Sequence, residues 1–93
     1  VLKLAHLAKK AGMDGVVASP SETGFIRKEL GADFIIVTPG VRPTWAAADD
    51  QKRIATPNAA IKDGADYIVV GRPITESKDP AEAAREVLKE MAI

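Results

Sequence analysis

Ninety-three residues with an apolar fraction of 46 % make one small domain or a piece of a larger one, and four aromatic residues leave the core to aliphatic side chains. Lysine plus arginine equals aspartate plus glutamate at 13 each, so the formal net charge is zero, which excludes the basic excess of a general nucleic-acid binder. The lack of cysteine excludes a disulfide framework and a thiolate metal site, no stretch approaches the roughly 18 apolar residues of a membrane span, and the chain opens without a charged leader, a pattern compatible with a cytoplasmic protein.

Leu4, Leu7, Ala8 and Ala11 recur at helical spacing, with Lys3, Lys9 and Lys10 mostly off that stripe, which predicts an amphipathic first helix. His6 lies on it, with no second histidine or cysteine to complete a metal set. Gly12-Met13-Asp14 then leads into the apolar Gly15-Val16-Val17. A second helix is predicted around Phe25, Ile26 and Leu30, capped by Ser19 or Ser21. The same phrase follows again: Gly31-Ala32-Asp33 before Phe34-Ile35-Ile36-Val37, and later Gly64-Ala65-Asp66 before Tyr67-Ile68-Val69-Val70.

Each glycine suits the left-handed position that ends a helix. Each apolar run reads as a strand buried on both faces. Residues 43–55 form the longest irregular stretch. Thr56-Pro57 and Asp79-Pro80 each read as an N-cap followed by proline at the first helical position. The first opens a short helix toward Lys62; the second opens a last helix that buries Ala83, Ala84, Val87, Leu88 and Met91.

Helix, glycine, x-Asp, strand is the cycle of a parallel β/α fold. About three parallel strands and four helices are too few to close a barrel, which takes eight strands and roughly 250 residues. The fold class expected is therefore α/β, a partial (half) TIM β/α barrel spanning 1–93 with two bare apolar sheet edges. Such a unit is either cut from a longer chain or assembles with copies of itself.

In a β/α barrel ligands bind at the carboxyl edge of the sheet, and the loops after the last strands commonly hold phosphate. Two arginines stand there. Arg42 follows the second strand in Thr38-Pro39-Gly40-Val41-Arg42-Pro43, where Gly40 permits close backbone approach and the guanidinium suits a bidentate phosphate contact. Arg72 follows the third strand in Gly71-Arg72-Pro73-Ile74, where the Gly71 amide is a second donor. The alternative at each is a tight turn with a solvated arginine. Gln51, in the long loop, is an amide donor for a lid over the same group; the alternative is a surface loop with Trp45 packed on a neighbour. Asp14, Asp33 and Asp66 fall at the amino ends of strands, the stability face of a barrel, and read as turn residues. Glu82 and Glu86 against Arg85 and Lys89 read as a solvated helix face.

Val37-Thr38-Pro39-Gly40-Val41-Arg42-Pro43, then Asp49-Asp50-Gln51-Lys52-Arg53 with Ala55-Thr56-Pro57, then Asp66-Tyr67-Ile68-Val69-Val70-Gly71-Arg72-Pro73-Ile74 together resemble the bacterial orotidine 5′-phosphate decarboxylases over essentially the whole chain. The resemblance implies the carboxyl-terminal half of a dimeric β/α barrel that converts orotidine 5′-monophosphate (OMP) to uridine 5′-monophosphate (UMP) without metal or cofactor. It implies that Arg42, Gln51, Gly71 and Arg72 hold the substrate phosphate. Pro39 and Val41 would lie toward the pyrimidine, and Val17 beside the departing carboxylate.

One departure is large. The family's lysine–aspartate array around an Asp-x-Lys-x-x-Asp segment has no counterpart here, and Lys62-Asp63 lies at a helix end. The chain alone is thus expected to bind and not turn over, with no catalytic residue of its own. Its expected partners are a nucleoside monophosphate or phosphate, and either copies of itself or a complementary amino-terminal half-barrel. A self-associating scaffold without activity is the competing reading. A third is another phosphate-binding barrel, such as a ribulose- or indole-phosphate enzyme, which shares the Gly-Arg feature but not the Asp49-Asp50-Gln51 loop.

Overall fold

The computed structural model describes residues 2–46 and 55–92. Helix α1 (Leu2–Lys10) leads to strand β1 (Gly15–Val17), and α2 (Pro20–Leu30) leads to β2 (Ile35–Thr38). A 3₁₀ turn at Thr44–Ala46 follows, then α3 (Pro57–Lys62), β3 (Tyr67–Ile68), a short α4 (Arg72–Thr75) and α5 (Pro80–Met91). The 3₁₀ turn and α4 were not legible from periodicity, because three or four residues do not complete a stripe.

The helix boundaries follow the local chemistry. Thr56 caps α3 by accepting the Ala59 amide at 3.2 Å, and Asp79 caps α5 by accepting the Glu82 amide at 3.2 Å, each followed by proline. Ser19 is the N-cap of α2, but its hydroxyl donates to Glu22 Oε1 at 2.6 Å and caps no amide. Gly12, Gly31 and Gly64 end their helices with φ of 94°, 85° and 110°, where a side chain would be strained. Lys9 reaches from α1 to donate to the Leu30 carbonyl at 2.7 Å, satisfying an orphan acceptor in the last turn of α2.

Among the described residues the sheet has three parallel strands in the order β1-β2-β3. Val16 pairs with Ile36 and Val17 with Val37; Val37 pairs with Tyr67 and Thr38 with Ile68. The outer strands are three and two residues long, so the bare edges are shorter than the apolar runs suggested. Gly15 is required by this packing: a Cβ there would sit 2.2 Å from the Ile35 carbonyl oxygen.

The strands are not buried on both faces. Phe34, Ile36 and Thr38 are buried under the helices, whereas Val17 and Tyr67 on the other face are 71 % and 61 % exposed, with Ile35 and Val69 also open. Residues across parallel strands share a face, so Val17, Ile35, Val37, Tyr67 and Val69 form one apolar surface, on which all but the half-buried Val37 are exposed. The helix stripes are half covered for the same reason. Ala5, Ala18, Ile26, Leu30, Phe34 and Ile36 form one core cluster with the half-buried Ala8 and Val16 against it, while Leu4, Leu7 and Phe25 stay exposed. Val41, Ala60 and Ala65 form the other, with Ala55, Ile68 and Val70 against it. In α5, Ala83 and Val87 are buried, Ala84 and Met91 are half-buried, and Leu88 is exposed instead of buried.

Candidate functional site at the carboxyl edge of the sheet

Because the strands are parallel, the segments that follow them leave from one edge of the sheet. The edge is continued past the strand ends by the Ala18 amide donating to the Val37 carbonyl at 2.9 Å and the Val69 amide donating to the Thr38 carbonyl at 3.0 Å. Val17, Pro39–Arg42 and Gly71–Arg72 therefore emerge from neighbouring points on that edge.

The turn after β2 is held tightly. Thr38 is fully buried, and its hydroxyl lies 2.9 Å from that of Thr23 on α2, which donates to the Ser19 carbonyl at 2.9 Å. Pro39 fixes its own φ, and Gly40 turns the chain with φ of 74°. Val41 makes a parallel bridge to Ala55, and the Arg42 amide donates to the Ala55 carbonyl at 2.9 Å. The long loop thus departs and returns at the same place. At its base Glu90 of α5 accepts the Thr44 amide at 3.0 Å. Arg42 is half-buried. The side chain of Val41 is buried with Ala60 and Ala65, so what it can present to a ligand is backbone.

Gly71 and Arg72 begin α4. The Gly71 carbonyl accepts the Ile74 and Thr75 amides at 3.0 and 3.1 Å, which starts the helix directly behind β3 and leaves Arg72 exposed. Val17 stands on the open apolar face. Gln51, with Asp49 and Asp50, lies outside the described residues. Among the described residues, shallow grooves of about 360 Å³ around Pro20, Phe25 and Lys28 and of about 310 Å³ around Trp45, Asp79 and Glu86 lie elsewhere; none of Val17, Pro39, Val41, Arg42, Gly71 or Arg72 lines either.

The opposite edge is built around a residue that sequence reasoning passed over. Arg27 donates to the carbonyls of Gly64 at 2.6 and 3.0 Å, Gly31 at 2.8 Å and Phe34 at 2.6 Å, and pairs with Asp66 at 2.6 Å. Asp66 also accepts the Ile36 amide at 2.9 Å. That amide, and then the Arg27 guanidinium, hold the Asp66 carboxyl below its ordinary value against a smaller opposing effect of burial. The third aspartate of the repeated phrase is thus a staple between β2 and β3. Its sequence signal was the phrase itself; its partner, 39 residues earlier, left none.

Comparison with known proteins places this arrangement. The chain is 65 % identical over 91 residues to the orotidine 5′-phosphate decarboxylase of Geotalea daltonii and 52 % identical over 92 residues to that of Actinobacillus succinogenes, in each case over at least 98 % of this chain. It spans 38 % and 40 % of those relatives' lengths. The crystal structure of the Lactobacillus acidophilus orotidine 5′-phosphate decarboxylase matches all of this chain with a TM-score of 0.84 at 42 % identity, using 37 % of its own length. That from Pyrococcus horikoshii OT3 matches 97 % of it with a TM-score of 0.78 at 30 % identity. The three strands and their helices are accordingly part of a β/α barrel. The model of the orotidine 5′-phosphate decarboxylase / HUMPS family matches residues 1–87, and the chain belongs to that family.

Proposed function

We propose that these residues form the phosphate-binding part of an orotidine 5′-phosphate decarboxylase, the enzyme that releases carbon dioxide from OMP and leaves UMP. The observation that carries the reading is the parallel register, which delivers the Arg42 turn and the Gly71-Arg72 step to one sheet edge. Arg42 and Arg72 supply guanidinium forks for a phosphate dianion, and Gly71 and Gln51 supply neutral N–H donors. Gln51 is included on the resemblance of its loop to the family alone. Val17 and Pro39 border the apolar end of the site, with Val41 behind them.

Loss of carbon dioxide leaves a carbanion that must take up a proton. The lysine–aspartate array for that step is absent from this sequence, so it comes from the part of the barrel that these residues do not include. The phosphate grip contributes at a distance: binding energy from a non-reacting group stabilises the transition state at the pyrimidine.

A chimera tests the proposal. The Geotalea daltonii enzyme with its matching segment replaced by these 93 residues is expected to decarboxylate OMP, while the 93 residues alone are not. A folded chimera without turnover would contradict the assignment.

The exposed apolar sheet face supports a second reading, in which two copies cover each other's open faces. Sedimentation of the isolated chain separates the two: a folded monomer at micromolar concentration argues against self-association.

A further inference from the structure

The buried hydroxyl pair of Thr23 and Thr38 has no part in the phosphate grip described above, and both side chains are fully buried. Thr23 sits one turn into α2, whereas Thr38 is the last residue of β2. The hydroxyl of Thr23 donates to the Ser19 carbonyl at 2.9 Å, so the proton in the 2.9 Å contact between the two threonines comes from Thr38. The resulting relay runs from the end of β2 through α2 to the loop behind β1.

Ladder bonds already fix the Thr38 backbone, so the relay is not needed to form the strand. It sets where the strand end stands against α2. From Thr38 to Arg42 the chain has little freedom to absorb an error. Pro39 fixes its φ, and the bridge to Ala55 holds Val41 and the Arg42 amide. Only Gly40 is conformationally permissive. A shift at Thr38 is therefore taken up between two anchored ends, in the Pro39-Gly40 turn that leads to the Arg42 guanidinium.

We infer that Thr38, through its hydrogen bond to Thr23, is a positioning residue for Arg42 that selectively supports binding of the substrate phosphate. The inference rests on the phosphate-site reading above. Thr38→Val keeps the shape and removes the donor, while Thr38→Ser keeps the donor; Thr38→Ala is the alternative if valine is not accommodated.

The readout, in the active chimera, is the ratio of inhibition constants for uridine and UMP, which differ only in the phosphate. Misplacement of one charged contact by a fraction of an ångström is expected to lower that ratio by about tenfold in Thr38→Val or Thr38→Ala. The effect should also appear in kcat/KM for OMP, and Thr38→Ser should restore the parent ratio. A loss shared equally by UMP and uridine would show that the pair only supports packing and overturn the inference, as would an unchanged ratio in a folded variant. An inactive parent chimera would instead count against the phosphate-site reading itself.

Discussion

The two edges of the same three-stranded sheet are built differently. At the amino edge one arginine spends its donors on protein: Arg27 is bonded to three carbonyls and to Asp66, and its side chain is 19 % exposed. At the carboxyl edge the backbone is held at Thr38, Val41 and Arg42, while Arg72 stays exposed at the start of α4. Arginine thus serves stability at one edge and, in the function proposed above, meets a ligand at the other, the division of labour expected of a β/α barrel.

Substitutions can break this contrast from either side. The largest effect is expected from Gly15→Ala, because the new Cβ would lie 2.2 Å from the Ile35 carbonyl oxygen, a backbone atom of the sheet that cannot turn aside. Separating β1 from β2 should cost about 3 kcal/mol or more, read as a lower urea midpoint in the chimera.

Arg27→Ala comes next, at about 2–3 kcal/mol, since it leaves the Gly64 and Phe34 carbonyls without their charged donor. If the edges are independent, it should leave the uridine-to-UMP inhibition ratio within about twofold in the folded variant. A large change in that ratio would mean that the amino edge also shapes the phosphate site.

The smallest effect is the acid dependence of Asp66. Its carboxyl is held low in the folded state, so its contribution is complete above the unfolded value near 3.8 and is lost as the pH falls below about 4. With the side chain 40 % exposed, solvent screening keeps the contribution small. Asp66→Asn should therefore lower the urea midpoint slightly at neutral pH, and the gap from the parent should narrow below pH 4. A gap that widens in acid would reverse the assigned sign.

The elements other than the 3₁₀ turn and α4 were legible in their order because helix caps and the glycine–x-aspartate phrase are local signals. Thr56-Pro57 and Asp79-Pro80 place α3 and α5 to the residue. Burial was less legible. The run Phe34-Ile35-Ile36-Val37 cannot say which face finds a cover; Phe34 and Ile36 are buried and Ile35 is exposed. The same ambiguity put Leu4, Leu7 and Phe25 on the apolar stripes, where Ala5 and Thr23 are buried instead, and Leu88 in the core beside Ala83 and Val87, which alone of that set are buried. The candidate site rests on Arg42, Gly71 and Arg72, whose types and strand-end positions can both be read in the sequence. Its support was not: Thr23 and Thr38 are 15 residues apart and read as ordinary polar positions, and Arg27 reads as a solvated helix residue until Gly64 and Asp66 are brought beside it.

The central claim is that the carboxyl edge binds a phosphate dianion. Its most direct test is Arg72→Ala in the active chimera, comparing inhibition by UMP with inhibition by uridine. Loss of one charged donor should weaken UMP by about 1.5–3 kcal/mol, roughly tenfold to a hundredfold, and leave uridine unchanged. Equal weakening of both, or none of either, would contradict the account.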